Sequence, residues 1–510
     1  MFSKINSASL LGINGYLVNV EVDLSDGLPS FDVVGLPDSS VRESKERVKA
    51  AIKNTNIKFP IKHITVNLSP ADIKKVGPSF DLPIAVGILT CINIIPKEQV
   101  INTMFIGELS LDGTIQPVSG ILPMISSATQ NGISTCFVPY NNTNEAALIP
   151  NVNVIGVNSL LDLINHLNGI NIISPYSTNN NSFTLSSSSQ NSLDFSQVKG
   201  QETVKRAFEI AASGSHNLLM IGPPGSGKTM MAKRLPSILP NLTLNECVEI
   251  TKIYSICSKL PINDCLIKTR PFRSPHHTIT PCALTGGGRI PKPGEVSLSH
   301  NGVLFLDELT EFSKNTLEVL RQPLEDNIVT ISRVNSTLTY PCNFMLISSM
   351  NPCPCGYYPD LNKCSCTPYQ IKKYLNKISG PLLDRIDLTV EASSVKYEDL
   401  STTFESESSL RIKERVTKCQ LIQQERYKSE NILFNSQLSS SQLTKYCNID
   451  SSGKKILEKA FKKLDLSARA YHRILKIGRT IADLEESENI CSDHLAEAIQ
   501  YRSLDKKYWS

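Results

Sequence analysis

The chain has no apolar stretch of the ~18 residues that a membrane-spanning helix requires, which excludes a helical membrane protein. Its first residues, MFSKINSASLLGINGYLV, lack a compact hydrophobic region with a small-residue cleavage site, so no secretion signal is expected. Charge is nearly balanced, with 52 Lys and Arg against 48 Asp and Glu, a formal net of +4. That mild excess gives no global nucleic-acid footprint, so any such contact must be local. No short internal repeat is present. Cysteine, by contrast, is not scarce: of fourteen, four cluster and the rest scatter through apolar segments. Reduced thiols in a cytoplasmic protein are a simpler reading than disulfides. Apolar residues make up 40% of the 510, enough for ordinary cores in about three domains.

What is present begins at Gly222–Thr229, GPPGSGKT, which fits the phosphate-cradling pattern G-x-x-x-x-G-K-[ST]. An apolar run, Asn217–Ile221, precedes it as a buried strand, and a helical stretch, Met230–Leu235, follows before Pro236. Backbone N–H groups from Gly222, Gly225, Ser226 and Gly227 would curl around phosphate oxygens, with Pro223 and Pro224 in the same loop. Lys228 would sit against the β- and γ-phosphates of ATP and the Thr229 hydroxyl on Mg²⁺. A second motif, Gly302–Glu308 (GVLFLDE), reads as a strand ending in two carboxylates. Asp307 suits the water shell of Mg²⁺, and Glu308 is placed to polarise an attacking water. Alone it would pass for an ordinary strand before a charged turn; the upstream loop decides otherwise. A third strand, Phe344–Ser349, leads to Asn351, whose side chain would reach the γ-phosphate. ATP hydrolysis, and not binding alone, is expected.

The Ser/Asn-rich stretch Tyr176–Ser192 cannot bury a core and would span roughly 25 Å as a tether. The expected organisation is an N-terminal domain at 1–172, a linker at 173–194, an α/β ATPase core at 195–395 and a C-terminal helical region at 396–510. The strongest helix there is Ser467–Glu485, with apolar residues near the 3.6 period. A strand–helix–strand unit needs about 30 residues, and the gap from Lys228 to Asp307 is far longer. Arg270–Ser299 reads as an insertion within it. There Gly286–Gly288, followed by Arg289 and Lys292, form either a mobile basic loop that grips a phosphate backbone or a solvated surface loop. The hairpin Ile328–Leu338, with Arg333 near its tip, carries the same two readings.

Cys353, Cys355, Cys364 and Cys366 place four thiols within fourteen residues, enough to close a tetrahedral Zn²⁺ site. C-x-C is tighter than the usual knuckle, so unligated thiols and a redox role stay open beside structural zinc. His276 and His277 have no partners at a ligand spacing; packing or phosphate contact is the simpler role.

Several long segments resemble the Mg-chelatase-like AAA+ ATPases of the YifB/ComM type. They are 29–52, GELSLDG (107–113), the phosphate loop, PFRSPHHTI (271–279), NGVLFLDEL (301–309), LRQPLED (320–326), SGPLLDRIDL (379–388) and LSARAYHRILKIGRTIADL (466–484). The resemblance implies an AAA+ P-loop core with a helix-2 insert, a C-terminal helical lid and a homo-hexameric ring. It also implies ATP-driven, sequence-independent action on branched or single-stranded DNA: a helicase for branch migration in natural transformation or recombination. Arg385 matches the family's arginine finger, donated to the neighbouring subunit, although an ion pair with Asp384 or Asp387 would also account for it. Arg469 matches the arginine that reports nucleotide state to the lid; Arg473 shares its helical face. The N-terminal domain resembles the Lon-protease/ribosomal-S5 α+β fold. Gly77-Pro78-Ser79 is similar to the Lon serine motif, but Leu122 stands where the base lysine should be, which implies a non-proteolytic domain. A metal-insertion motor like Mg-chelatase, and an ATP-switched scaffold, are the alternatives.

Overall fold

The computed structural model describes residues 1–176, 193–260, 266–288, 291–333, 336–360, 362–393, 406–430, 432–464 and 467–509. Most of the expected 173–194 linker, and Arg289, lie outside the described residues. Two compact units result: Met1–Ser186 with Thr243–Ile267, and Ser187–Leu242 with Lys268–Ser510.

The first unit is built on a seven-stranded sheet. Its strands are β1 (Phe2–Leu11), β2 (Asn14–Ser25), β3 (Ser30–Val34), β4 (His63–Ser69), β5 (Thr103–Phe105), β6 (Thr135–Pro139) and β7 (Asn153–Val157). Their spatial order is β3-β4-β2-β1-β5-β6-β7, antiparallel at β1/β2 and β2/β4 and parallel elsewhere. Alternation along β2 turns Val18, Val20, Val22 and Leu24 inward, as a half-buried strand requires. Helix α1 (Ser39–Asn54) starts where the Asp38 carboxylate accepts the Val41 N–H at 2.8 Å. It buries Val41, Val48, Ala51 and Ile52 and leaves Lys45, Lys49 and Lys53 outward. Helix α2 (Asp81–Cys91) is apolar on all sides and buried along its whole length. It lies so close on the sheet that a Cβ at Gly87 would come within 2.5 Å of Val22.

Thr243–Ile267, read above as part of the ATPase core, clusters with this first unit instead. Its helix, Leu244–Ile256, is capped by a Thr243/Glu246 box, and buried Ser255 donates to Glu145 at 2.5 Å. The Ser255–Glu145 contact pairs residues 110 apart, which no local pattern announces.

The second unit holds a parallel five-stranded sheet, with strands β8 (Leu218–Ile221), β9 (Phe272–Arg273), β10 (Val303–Leu306), β11 (Met345–Met350) and β12 (Leu388–Glu391). Their order is β9-β10-β11-β8-β12. Every residue of β8, β10 and β11 is buried, as expected of strands covered on both faces. Arg270–Ser299 is therefore not wholly an insertion. Phe272 pairs with Val303 and its ring stacks on Phe305 at 5.9 Å, making this segment the edge of the sheet.

The C-terminal helices share a core with that sheet: Ile474, Ile477 and Ile481 join Phe208, Leu218 and Leu388 in one apolar cluster. The helix read at Ser467–Glu485 spans Ala468–Leu484, with Ser467 capping the Ala470 N–H. Inside this group, buried Asp483 accepts from Arg426 at 2.8 and 2.5 Å, Arg479 at 3.1 Å and Asn435 at 2.9 Å. Arg479 is 1% exposed. Asp483→Ala strands that guanidinium without its counter-charge, a loss of about 3 kcal/mol or more. The expected result is a clearly lower thermal midpoint, measured by calorimetry on the purified chain.

Candidate functional site

The phosphate loop leaves the end of β8 and is tied to the neighbouring strand by the Gly222 N–H, which donates to the Met350 carbonyl at 3.1 Å. Gly227, at φ +82°, takes the left-handed turn into the helix Lys228–Ala232 without a Cβ penalty. Lys228 Nζ donates to the carbonyls of Gly222 (2.7 Å) and Pro223 (2.8 Å), and lies 3.4 Å from Ser226 Oγ and 3.3 Å from Asn351 Oδ1. Burial pushes its pKa down, against the pull of Asp307 and Glu308. Thr229 Oγ1 donates to Asp307 Oδ2 at 2.6 Å, and Ser349 donates to the other carboxylate oxygen. A hydroxyl and a carboxylate this close are the hard oxygen donors that suit Mg²⁺. The donor set fits that ion.

Glu308 is exposed and left-handed, with φ +52°, a backbone state uncommon for a residue with a side chain. His277 Nδ1 lies 3.7 Å from its carboxylate and the His277 ring meets Phe312 edge-on. Pattern reading overlooked this neighbour, and also Ser349. The only available signal was the position of His277 within PFRSPHHTI.

Arg385 and Arg469 are brought together, but away from Lys228. Both line a cavity of about 610 Å³ with Glu325, Asp384 and Arg473. This cavity opens at the start of the strands: Asn217, just before β8, donates to the Arg385 carbonyl at 2.8 Å. The four residues of β8 then separate it from the phosphate loop by roughly 13 Å. Neither carboxylate anticipated from the sequence pairs with Arg385. Its guanidinium donates to Glu325 and, at 2.7 Å, to the Pro381 carbonyl, while buried Nε has no hydrogen-bond partner. Asp384 is taken by Arg469 at 3.0 Å. Asp387 faces His216 at 3.3 Å and Arg473 at 3.6 Å. Burial works against the Asp387 carboxylate, but the His216 hydrogen bond and the charges of His216, Arg473 and Lys476 hold its pKa down to about 2.

The four Sγ atoms of Cys353, Cys355, Cys364 and Cys366 lie within 4.8 Å of one another. Three separations are 3.3, 3.7 and 3.5 Å, close to the ~3.8 Å edge of a tetrahedron with 2.3 Å metal–sulfur bonds. The cluster can hold a metal ion. Its turn packs on the phosphate loop, where a Cβ at Gly356 would come within 2.5 Å of Pro224.

The described residues of the basic segments include paired strands. Gly286 and Gly287 pair antiparallel with Pro293 and Lys292, and Lys292 is exposed. Arg333 is the last paired residue of its strand, opposite Ser336. In the first unit, Lys75 Nζ donates to the Ile73 carbonyl at 2.8 Å and to that of Pro70. No hydrogen bond links it to Ser79 among the described residues, and Leu122 is buried.

A parallel sheet carrying a phosphate loop, a carboxylate strand and a polar residue between them defines a P-loop protein of the AAA+ class. The sequence families described as "Magnesium chelatase, subunit ChlI", "Subunit ChlI of Mg-chelatase" and "Magnesium chelatase, subunit ChlI C-terminal" match residues 194–400, 20–142 and 406–502. Competence protein ComM of Haemophilus influenzae is 42% identical over 98% of this chain and 97% of its own length. YifB of Escherichia coli is 40% identical over 99% and 97%. Lon protease 2 of Bacillus subtilis is 26% identical over 32% of each chain. The chain belongs to the Mg-chelatase-like AAA+ family of the ComM/YifB type. No helix among the described residues is long and apolar enough to cross a membrane.

Proposed function

We propose that this chain is an ATP-hydrolysing motor that works as a ring, most specifically a hexamer, on branched or single-stranded DNA. The observation that carries this reading is the division of the site. Lys228, Thr229, Asp307 and Asn351 gather at one end of the sheet, and Arg385 with Arg469 at the other. A single chain cannot close its own site, whereas neighbours in a ring can. In that arrangement Lys228 grips the β- and γ-phosphates, Asn351 orients the γ-phosphate, and Glu308 takes up the attacking water. Thr229 and Asp307 would hold Mg²⁺, which neutralises charge on the phosphate oxygens. The neighbour's copy of Arg385, its Nε unsatisfied at home, stabilises the transferred phosphoryl group.

Action on DNA is supported by the full-length similarity to a protein whose name is competence. Branch migration in a cytoplasmic recombination pathway is the corresponding role. Lys292, Arg333 and Arg289 supply cations for sequence-independent phosphate contact. A metal-insertion motor is the second reading, favoured by the three family descriptions. Measuring ATP turnover separates the two: branched DNA is expected to stimulate it, and a porphyrin with a chelatase partner subunit is not. The reverse result would sink the DNA reading, and absence of turnover in a properly folded protein would favour an ATP-switched scaffold.

The shared site gives a sharper expectation. Arg385→Ala should bind ATP nearly normally and hydrolyse it at least ~10³-fold more slowly, while Lys228→Ala should lose nucleotide binding. Mixing the two variants should restore part of the activity, because each supplies the half the other lacks. Mixed assemblies as inactive as either parent would count decisively against donation between chains.

The cysteine cluster serves, in this reading, as a structural zinc knot that braces the turn after Asn351 against the phosphate loop. Thiolates at tetrahedral separations are the donors zinc prefers. Elemental analysis should find about one zinc per chain, released when Cys364 and Cys366 are changed to Ser. No zinc after metal-replete expression would leave unligated thiols as the answer.

A further inference from the structure

The first unit carries a groove of about 840 Å³ to which no role has been assigned above. Lys45, Lys49 and Lys53 line one wall from the outward face of α1, each four residues after the last and thus about 6 Å apart along the axis. Lys58 and Lys62 also line it. Lys62 is held by Asp26 at 3.1 Å, whereas the other four make no ion pair among the described residues. Glu46 is the sole carboxylate of the lining. Five lysines less one glutamate give the lining a formal +4, from which Asp26 offsets the charge of Lys62. In the same lining, Phe31 and Phe59 stack at 6.3 Å with their planes 27° apart. Both are half-buried against the core of this unit while lining the groove.

We infer that this groove binds single-stranded nucleic acid. A row of lysines at helical spacing suits a phosphate backbone, and aromatic rings in the same groove accept stacked bases; that pairing is the general chemistry of strand-binding grooves. An anionic lipid surface would use the same lysines, but it is flat, and here the rings are recessed in a concavity. The inference rests on the DNA-acting reading and gives it a second point of contact, outside the ATPase unit.

The test uses the full chain without nucleotide and a fluorescent oligodeoxythymidine of about 20 residues, followed by anisotropy across a salt series. Wild type is expected to bind with an affinity that falls as salt rises. Replacing Lys45, Lys49 and Lys53 together by Ala should reduce the slope of log affinity against log salt by about 2, at ~0.7 per phosphate for single strands. Phe59→Leu, which keeps apolar volume, should weaken binding about ten-fold and leave the slope unchanged. Thermal midpoints near wild type establish that both variants fold. Should wild type bind DNA and the triple variant match it in affinity and slope, the groove is overturned while the DNA reading stands. Should wild type bind neither single-stranded nor branched DNA, both fall. Loss of binding to phosphatidylglycerol vesicles with oligonucleotide binding intact would also overturn the inference, in favour of a lipid surface.

Discussion

The seating of β11 between β8 and β10 is the constraint on which the candidate site depends. Parallel pairing sets Leu218 beside Ile347 and Val303 beside Met345, so three strands of similar length end at one edge. Asp307 is the first residue after β10 and Asn351 the first after β11, while the phosphate loop begins one residue after β8. Three segments from distant parts of the chain meet there because their strands run the same way. A slip of one residue in β10 would turn Asp307 from Thr229 and destroy the 2.6 Å contact. The register is protected by burial on both faces of these strands, where Ser348 and Ser349 are the polar exceptions and Ser349 donates to Asp307.

The residues at that edge were legible because each lies within a few positions of its own strand, and short-range pattern carries that information. Phe272–Arg273 was not, since two residues have no period and only pairing with Val303 makes them a strand. Thr243–Ile267 has a clear capping box, so its helix is readable, but the side that buries it depends on Ser255 finding Glu145 across 110 positions. Arg385 shows the same limit at one side chain. Two carboxylates lie within two residues of it, yet its partner is Glu325, sixty residues away. Proximity in sequence misled because Asp384 and Asp387 are drawn to Arg469 and to His216 with Arg473.

The cysteine cluster and the phosphate loop illustrate how a structural element and a chemical one become a single object. Gly356 has φ +87° and no room for a side chain against Pro224. Whatever fixes the sulfur cluster therefore fixes the wall of the loop in which Lys228 is held. The buried Asp483 network does similar work elsewhere in the second unit, tying Arg426 and Arg479 to one carboxylate so that helices remote in sequence share one core.

The path of the chain through the two units has a mechanical meaning. It passes from the first to the second at 186–187, returns at 242–243 and departs again at 267–268. Three covalent crossings join the units, not one. A gene fragment ending at residue 172 would encode a first unit missing the helix that satisfies Glu145. The N-terminal unit is accordingly not a detachable module on a string. Its folding is completed only after the phosphate loop has left the ribosome, and the segment that completes it is bounded at both ends by the unit that carries that loop.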